Sequence, residues 1–137
     1  MHPLVGTWAL EQWTSGSREP FGPRPQGTLV YTAEGTMIAC FMRAHRAPVA
    51  ASLDALTAWR RAPERGDVER RFLEAALYFN AYSGRYSVEG ARVHHDVEVA
   101  LYPEWIGQRL SRDYRVDSGR LTLSFGSDAL VWRALAR

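Results

Sequence analysis

The chain has no lysine: all 17 of its basic residues are arginine. Schiff-base catalysis and covalent pyridoxal phosphate chemistry both need a lysine amine, so both are excluded. Cysteine is nearly as scarce. Cys40 stands alone, so no disulfide can form within the chain and nothing marks an oxidising compartment. No apolar run approaches membrane-spanning length. Met1-His2-Pro3 passes almost at once into a strand pattern, without a charged segment followed by an apolar one, so no signal peptide is expected and a cytoplasmic location is the default. A one-signed surface is also missing. The formal net charge is +2, and the densest basic points, Arg60-Arg61 and Arg70-Arg71, have acidic neighbours. Without a basic face, neither nucleic acid nor a membrane is an expected partner.

What the chain does have is ordinary for a globular protein: 137 residues, 46% hydrophobic and 23% charged. That is enough for one domain spanning 1–137 with a sizeable core. Eight short segments alternate in strand fashion, at 4–13, 27–33, 36–43, 82–88, 92–101, 109–116, 120–126 and 129–135. Residues 14–26, rich in Gly, Pro and Ser, read as a loop in which Phe21 folds over a barrel mouth. Residues 44–66 break the strand rhythm. Ser52 caps a short helix over about 53–61. Asp67 caps a second over about 68–80, whose apolar stripe is Val68, Phe72, Ala75, Ala76 and Phe79. Asp117-Ser118-Gly119 and Gly126-Ser127-Asp128 have the chemistry of hairpin turns. The fold class is therefore mainly β: an eight-stranded antiparallel up-and-down barrel with a helical insertion between the third and fourth strands. About eight strands close a barrel wide enough to hold one small ligand.

Side chains alternate across a strand, so the more apolar face of each segment is assigned to the interior. That places Tyr31, Phe41, Tyr82, Tyr86, His95, Val97, Val99, Arg112, Tyr114, Leu123, Phe125 and Trp132 inside. Such a mixture of oily walls and a few polar groups is the composition of a ligand pocket. His95, Arg112 and Tyr31 are the candidates for chemistry. An imidazole titrates near neutral pH, an inward arginine demands a partner, and a phenol can donate a hydrogen bond. Tyr82, Tyr86, Tyr114, Phe41, Val97, Val99, Leu123, Phe125 and Trp132 are the candidate ligand-contacting residues. Register is the open alternative: one bulge would turn His94, Glu98 and Arg115 inward instead. His94 and His95 are adjacent on a strand and point to opposite faces, so a shared metal ion is not expected. No Gly-rich phosphate loop or Gly-x-Ser-x-Gly elbow occurs, and no cofactor is expected. Trp8 is assigned to one barrel end, packed on Arg133. The 44–81 insertion is assigned to a barrel opening, with Phe72 and Phe79 facing in.

Several stretches taken together carry a family likeness. They are Leu4-Val5-Gly6-Thr7-Trp8, Pro20-Phe21-Gly22, Gly27 to Thr32, Gly35-Thr36-Met37, Met42-Arg43, Tyr82 to Tyr86, Val93 to Glu98, Leu101 to Gly107 and Arg120 to Leu123. On these residues the chain resembles the bacterial lipocalin-like domain family, a branch of the calycin barrels. The resemblance implies an eight-stranded antiparallel barrel with an interior cavity. Related barrels in biosynthetic pathways act as cofactor-free cyclases, including Diels–Alder-type enzymes. The expected function is accordingly binding of a hydrophobic, partly polar small molecule and its cofactor-free cyclisation or isomerisation in natural-product biosynthesis. The alternative is a carrier without turnover. The two-disulfide pattern of many secreted lipocalins is absent. A homodimer is left open.

Overall fold

Eight stretches alternate between buried and exposed side chains, and each is flanked by a turn or a long connection. The structure, a computed structural model that describes residues 1–135, folds them into β1 (Gly6–Ser15), β2 (Gln26–Tyr31), β3 (Thr36–Met42), β4 (Phe79–Glu89), β5 (Arg92–Ala100), β6 (Arg109–Asp117), β7 (Arg120–Phe125) and β8 (Asp128–Ala134). Every strand pairs antiparallel with the next, and β8 returns to β1, closing the barrel. Closure gives every strand a partner on both sides, which blunts the edge an open sheet would expose. Between β3 and β4 lie α1 (Leu53–Arg61) and α2 (Asp67–Leu77), and a single 3-10 turn, Pro103–Trp105, follows β5. The expected architecture stands. Several boundaries move: β1 starts and ends two residues later than the alternation suggests, β2 ends two residues earlier, and β4 begins at Phe79, three residues earlier. α2 ends at Leu77, and Asp67 is its first residue and not its cap, a place that Gly66 takes without a side-chain hydrogen bond.

Two bulges decide which side chains are inside. In β1 the register against β8 shifts between Leu10 and Gln12. Trp8 and Leu10 are buried inward, and after the extra residue Trp13 also joins the core. In β5 the pairing with β4 shifts, so that Gly84 faces Val97 and Ser83 faces Val99. Glu98 is the extra residue. Val97 is buried, Ala100 packs against the core, and Val99 is turned outward and 65% exposed. The expectation that Val99 contacts a ligand is corrected here: one inserted residue reverses the alternation. Glycine at 84 permits this close approach, since a Cβ there would lie 2.0 Å from the Asp96 carbonyl oxygen.

Three of the four short turns, those after β2, β4 and β6, collect at one end of the barrel. There Leu4, Trp8, Met37, Val93 and Leu121 form a packed core. Trp8 Nε1 donates to the Leu4 carbonyl at 2.9 Å. Its expected stacking on Arg133 does not occur, because Arg133 pairs with Ala9, the outward neighbour of Trp8, and is exposed.

The long connections, 16–25, 43–78 and 101–108, gather at the opposite end. The Ser52 hydroxyl caps α1 by accepting from the Ala55 amide at 3.1 Å, as the sequence implies. Neither helix has a fully buried residue. Phe72 is 42% exposed and stacks on Trp59 of α1, with ring centroids 5.5 Å apart. Phe79 belongs to β4, where its inward neighbour is Asn80; its ring lies beneath the Arg46 guanidinium at 5.2 Å. The assignment of Phe72 and Phe79 to the barrel opening is thus overturned. Leu77, in the last turn of α2, reaches it instead. Among the described residues, no helix is long and apolar enough to cross a membrane.

Candidate functional site

A cavity of about 380 Å³ opens at the end where the long connections gather. Its strand walls include Phe41, Leu123, Leu130 and Trp132, and its rim is built by Phe21, Leu77, Tyr102 and Trp105. Phe21 does fold into the mouth, as its place between prolines implies. Its ring lies 4.7 Å from Trp13 and 5.8 Å from Phe41. Eight of its 17 lining residues are aromatic, which suits an apolar guest.

Three polar side chains form the base of the cavity. β5 projects His95 inward, fully buried. Its Nε2 lies 2.6 Å from Tyr31 Oη and its Nδ1 lies 2.9 Å from Tyr82 Oη. The two phenols come from β2 and β4, so the imidazole is held from both sides. Tyr82 also lines the cavity, whereas Tyr31 and His95 lie just beneath it. Burial pushes the His95 pKa down to about 3, and the nearby Arg112 charge pushes the same way. The imidazole is therefore neutral at physiological pH. Burial also pushes the Tyr82 phenol up to about 12 and the Tyr31 phenol well above its ordinary value. Both hydroxyls keep their protons.

Arg112 enters the cavity wall from β6. Its guanidinium lies over the Phe125 ring at 3.7 Å and donates to the Ser111 carbonyl at 3.2 Å. Burial lowers its pKa, and the dipoles and charges of Tyr82, Tyr31 and Asp128 act in the opposite sense. Among the described residues it forms no salt bridge, although Asp128 shares the cavity lining. An arginine in an apolar pocket without a carboxylate partner retains donors for something else.

Six of the twelve candidate residues line the cavity: Arg112, Tyr82, Phe41, Leu123, Phe125 and Trp132. Tyr31 and His95 support it from below, and Val97 is part of the packed core. Tyr86 and Tyr114 lie toward the closed end. The Tyr86 hydroxyl donates to the Thr32 carbonyl at 2.6 Å, and the Tyr114 hydroxyl donates to the Gly90 carbonyl at 3.2 Å. Their hydroxyls serve turns and do not reach the pocket. Val99 is outside. His94 points to the outer face, with Nδ1 2.8 Å from Ser111 Oγ and Nε2 3.1 Å from Glu89 Oε1. Among the described residues, no group of three His, Cys, Asp or Glu gathers as a metal site.

Sequence reasoning missed Trp13, Asn80, Leu77, Tyr102 and Trp105. Trp13 is concealed by the bulge in β1, and Asn80 by the overlong helix assigned before it. Trp105 carried a usable signal: an aromatic pair flanking Pro103 in a connection resembles the Phe21 loop, and its ring packs edge-on against Tyr82 at 5.4 Å.

A closed eight-stranded antiparallel barrel with a cavity at its open end is the architecture of the calycin-type β-barrels. A family model described as a lipocalin-like domain matches residues 5–134, and the chain belongs to that family. Solved structures share the fold, among them two bacterial proteins. One is an uncharacterized protein from Bacteroides eggerthii DSM 20697, with a TM-score of 0.55 and 8% identity, matched over 96% of this chain and 99% of that one. The other is a lipocalin-like protein from Bacteroides uniformis ATCC 8492, with a TM-score of 0.51 and 14% identity over 96% and 98% of the two chains. At such identities the likeness speaks for the fold alone. No curated protein sequence matches. The lipocalin-like fold and its cavity are consistent with binding of a small molecule.

Proposed function

We propose that this barrel binds an amphiphilic small molecule whose apolar body fills the aromatic pocket and whose anionic oxygen meets Arg112. The observation that carries the reading is the Arg112 guanidinium, set in an apolar wall and free of any carboxylate salt bridge among the described residues. Holding a charge in apolar surroundings is costly unless it is paired. A bound carboxylate, enolate or phenolate would provide the pair, and a guanidinium fork suits paired oxygens. Isothermal titration with decanoate and with decanol tests it. Decanoate should bind more tightly to the wild type, and Arg112→Leu should remove that preference while leaving decanol affinity in place. Equal affinity of the wild type for both probes would refute the reading.

A second reading adds turnover: the cofactor-free cyclisation or isomerisation of the bound molecule. It is favoured by Tyr82 and Arg112 lining one cavity, where both could stabilise charge developing on an enolate oxygen. Holding a flexible chain in near-attack geometry contributes roughly 7–11 kcal/mol in favourable cases. His95 enters this reading as a hydrogen-bonding support, because a buried neutral imidazole with both nitrogens engaged is poorly placed to carry protons. Incubation with linear polyene and polyketide precursors separates the two. Product formation faster than in buffer supports an enzyme, and quantitative recovery of bound, unchanged precursor supports a carrier.

A further inference from the structure

The base of the cavity holds one proton more than its hydrogen bonds use. Tyr31, His95 and Tyr82 are joined by two hydrogen bonds. Each neutral phenol brings one proton and a neutral imidazole brings one more. Three protons serve two bonds, so one end of the chain has a proton to spare. Tyr31 is 1% exposed, and its hydroxyl has no acceptor other than His95 among the described residues. A spare proton there would be a buried donor without a partner, at a cost of about 1–3 kcal/mol. Tyr82 lines the cavity, where a guest can take the proton.

We infer that Tyr31 donates to His95 Nε2, that His95 Nδ1–H donates to Tyr82 Oη, and that Tyr82 consequently presents its own hydroxyl proton to the cavity as a donor of fixed direction. The inference rests on the reading of Arg112 as the anion-binding group, and it sharpens the class of ligand. The oxygen that fits has neighbouring lone pairs for a guanidinium and for a neutral O–H. A carboxylate, phenolate or enolate meets that need, and an ammonium or a lone N–H donor does not. Tyr82 touches the ligand in this scheme, whereas His95 and Tyr31 are positioning residues that act through it. The opposite tautomer would turn the Tyr82 proton toward Nδ1 and leave the cavity with an acceptor in its place, so the direction of the relay decides which ligands are accepted.

The test uses the full chain and a nitrobiphenyl dye bearing a phenol hydroxyl at its far end, with nitrobiphenyl itself as the hydroxyl-free control. Absorbance reports phenol against phenolate as pH is varied. On the wild type the bound dye should ionise at lower pH than the free dye. Tyr82→Phe keeps the ring and removes the donor. It should weaken phenolate binding by about tenfold or more, the range of a hydrogen bond to a charged group, with nitrobiphenyl affinity unchanged. Tyr31→Phe never touches the dye, yet it should raise the ionisation pH of the bound dye in the same direction by a smaller factor. In the Tyr82→Phe background it should add nothing. An ionisation pH unmoved by Tyr31→Phe overturns the relay. Should Tyr82→Phe leave it unmoved while Arg112→Leu abolishes the phenolate preference, the inference falls and the anion-binding reading survives. An Arg112→Leu protein that still prefers the phenolate, or a wild type that binds neither probe, overturns that reading and this inference with it.

Discussion

Acidification should unfold this barrel earlier than its carboxylates require, and His95 is the reason. In the unfolded chain its imidazole has the ordinary value of 6.5; in the fold burial pushes it to about 3. Below 6.5 the unfolded chain binds a proton that the folded protein refuses. The stabilisation tied to this group is therefore complete above about pH 6.5 and is lost progressively as pH falls toward about 3. Each pH unit in that window costs about 1.4 kcal/mol at full slope. Between pH 6.5 and 4 the loss approaches roughly 3 kcal/mol, or on the order of 10 °C in Tm for a chain of this length. Asp96 enters only at the acid end of this window: its hydrogen bond from Arg109 holds its pKa below the ordinary 3.8, so its share is lost as pH falls through 3.8 and below. The His95 slope is read between pH 6.5 and about 4. Thermal melts at half-unit steps, followed by near-UV circular dichroism, give the slope. His95→Gln keeps one donor and one acceptor for the two phenols and does not titrate. It should start from a lower Tm and stay nearly flat across the window. Parallel decline of wild type and variant would refute the assignment of the acid sensitivity to His95.

Three further outcomes follow from the packing. Gly84→Ala should destabilise by more than about 3 kcal/mol in urea titration, since its Cβ would meet backbone at 2.0 Å, well inside the usual overpacking regime; a change under about 1 kcal/mol would show that the bulge can relax. Val99→Arg should alter stability by no more than about 0.5 kcal/mol, as for other surface sites, while Ala100→Arg places a charge beside Tyr82 and should prevent cooperative folding. The reverse ranking would mean that the β5 bulge is misplaced. Trp8→Ala should cost about 3–5 kcal/mol, and a wild-type urea midpoint would remove Trp8 from the core.

The barrel was legible because its signal is repeated. Eight alternating segments, hairpin chemistry at Ser118-Gly119 and a helix cap at Ser52 all point to one architecture, so an error at any single boundary does not change it. The site was legible only in part, and each failure has a local cause. Periodicity carries inward assignments correctly along a strand until a residue is inserted. His95 and Val97 precede Glu98 and lie on the inner face that alternation assigns them; Val99 follows it and faces out, against the alternation. Trp13 was lost in the same way beyond the irregularity at Leu10/Gln12. Phe79 and Asn80 were hidden by a different ambiguity. An apolar stripe at helical spacing can run into the first residues of a strand, and nothing in Leu77-Tyr78-Phe79 marks where the helix stops. Tyr86 and Tyr114 lie on the expected apolar faces of their strands. Face alone does not tell how deep a residue sits along the barrel axis, and theirs is the end filled by side chains.

That depth is set by side-chain size along each strand. Toward the closed end the inward positions carry Trp8, Met37, Val93 and Leu121, and they fill the interior. One row nearer the mouth, Tyr82 of β4 is flanked across its two neighbouring strands by Ala39 and Ala100. Of these two, Ala39 lines the cavity beside Tyr82; its methyl-sized side chain leaves the space that a larger residue would have occupied, and the cavity begins there. The polar floor sits at this boundary between packed and hollow halves. A phenol bonded from below to a buried imidazole needs nothing from the packed side, and its remaining proton has only the hollow side to face. The same Ala39 that makes room for a guest therefore brings it against the one hydroxyl whose direction the core has already set.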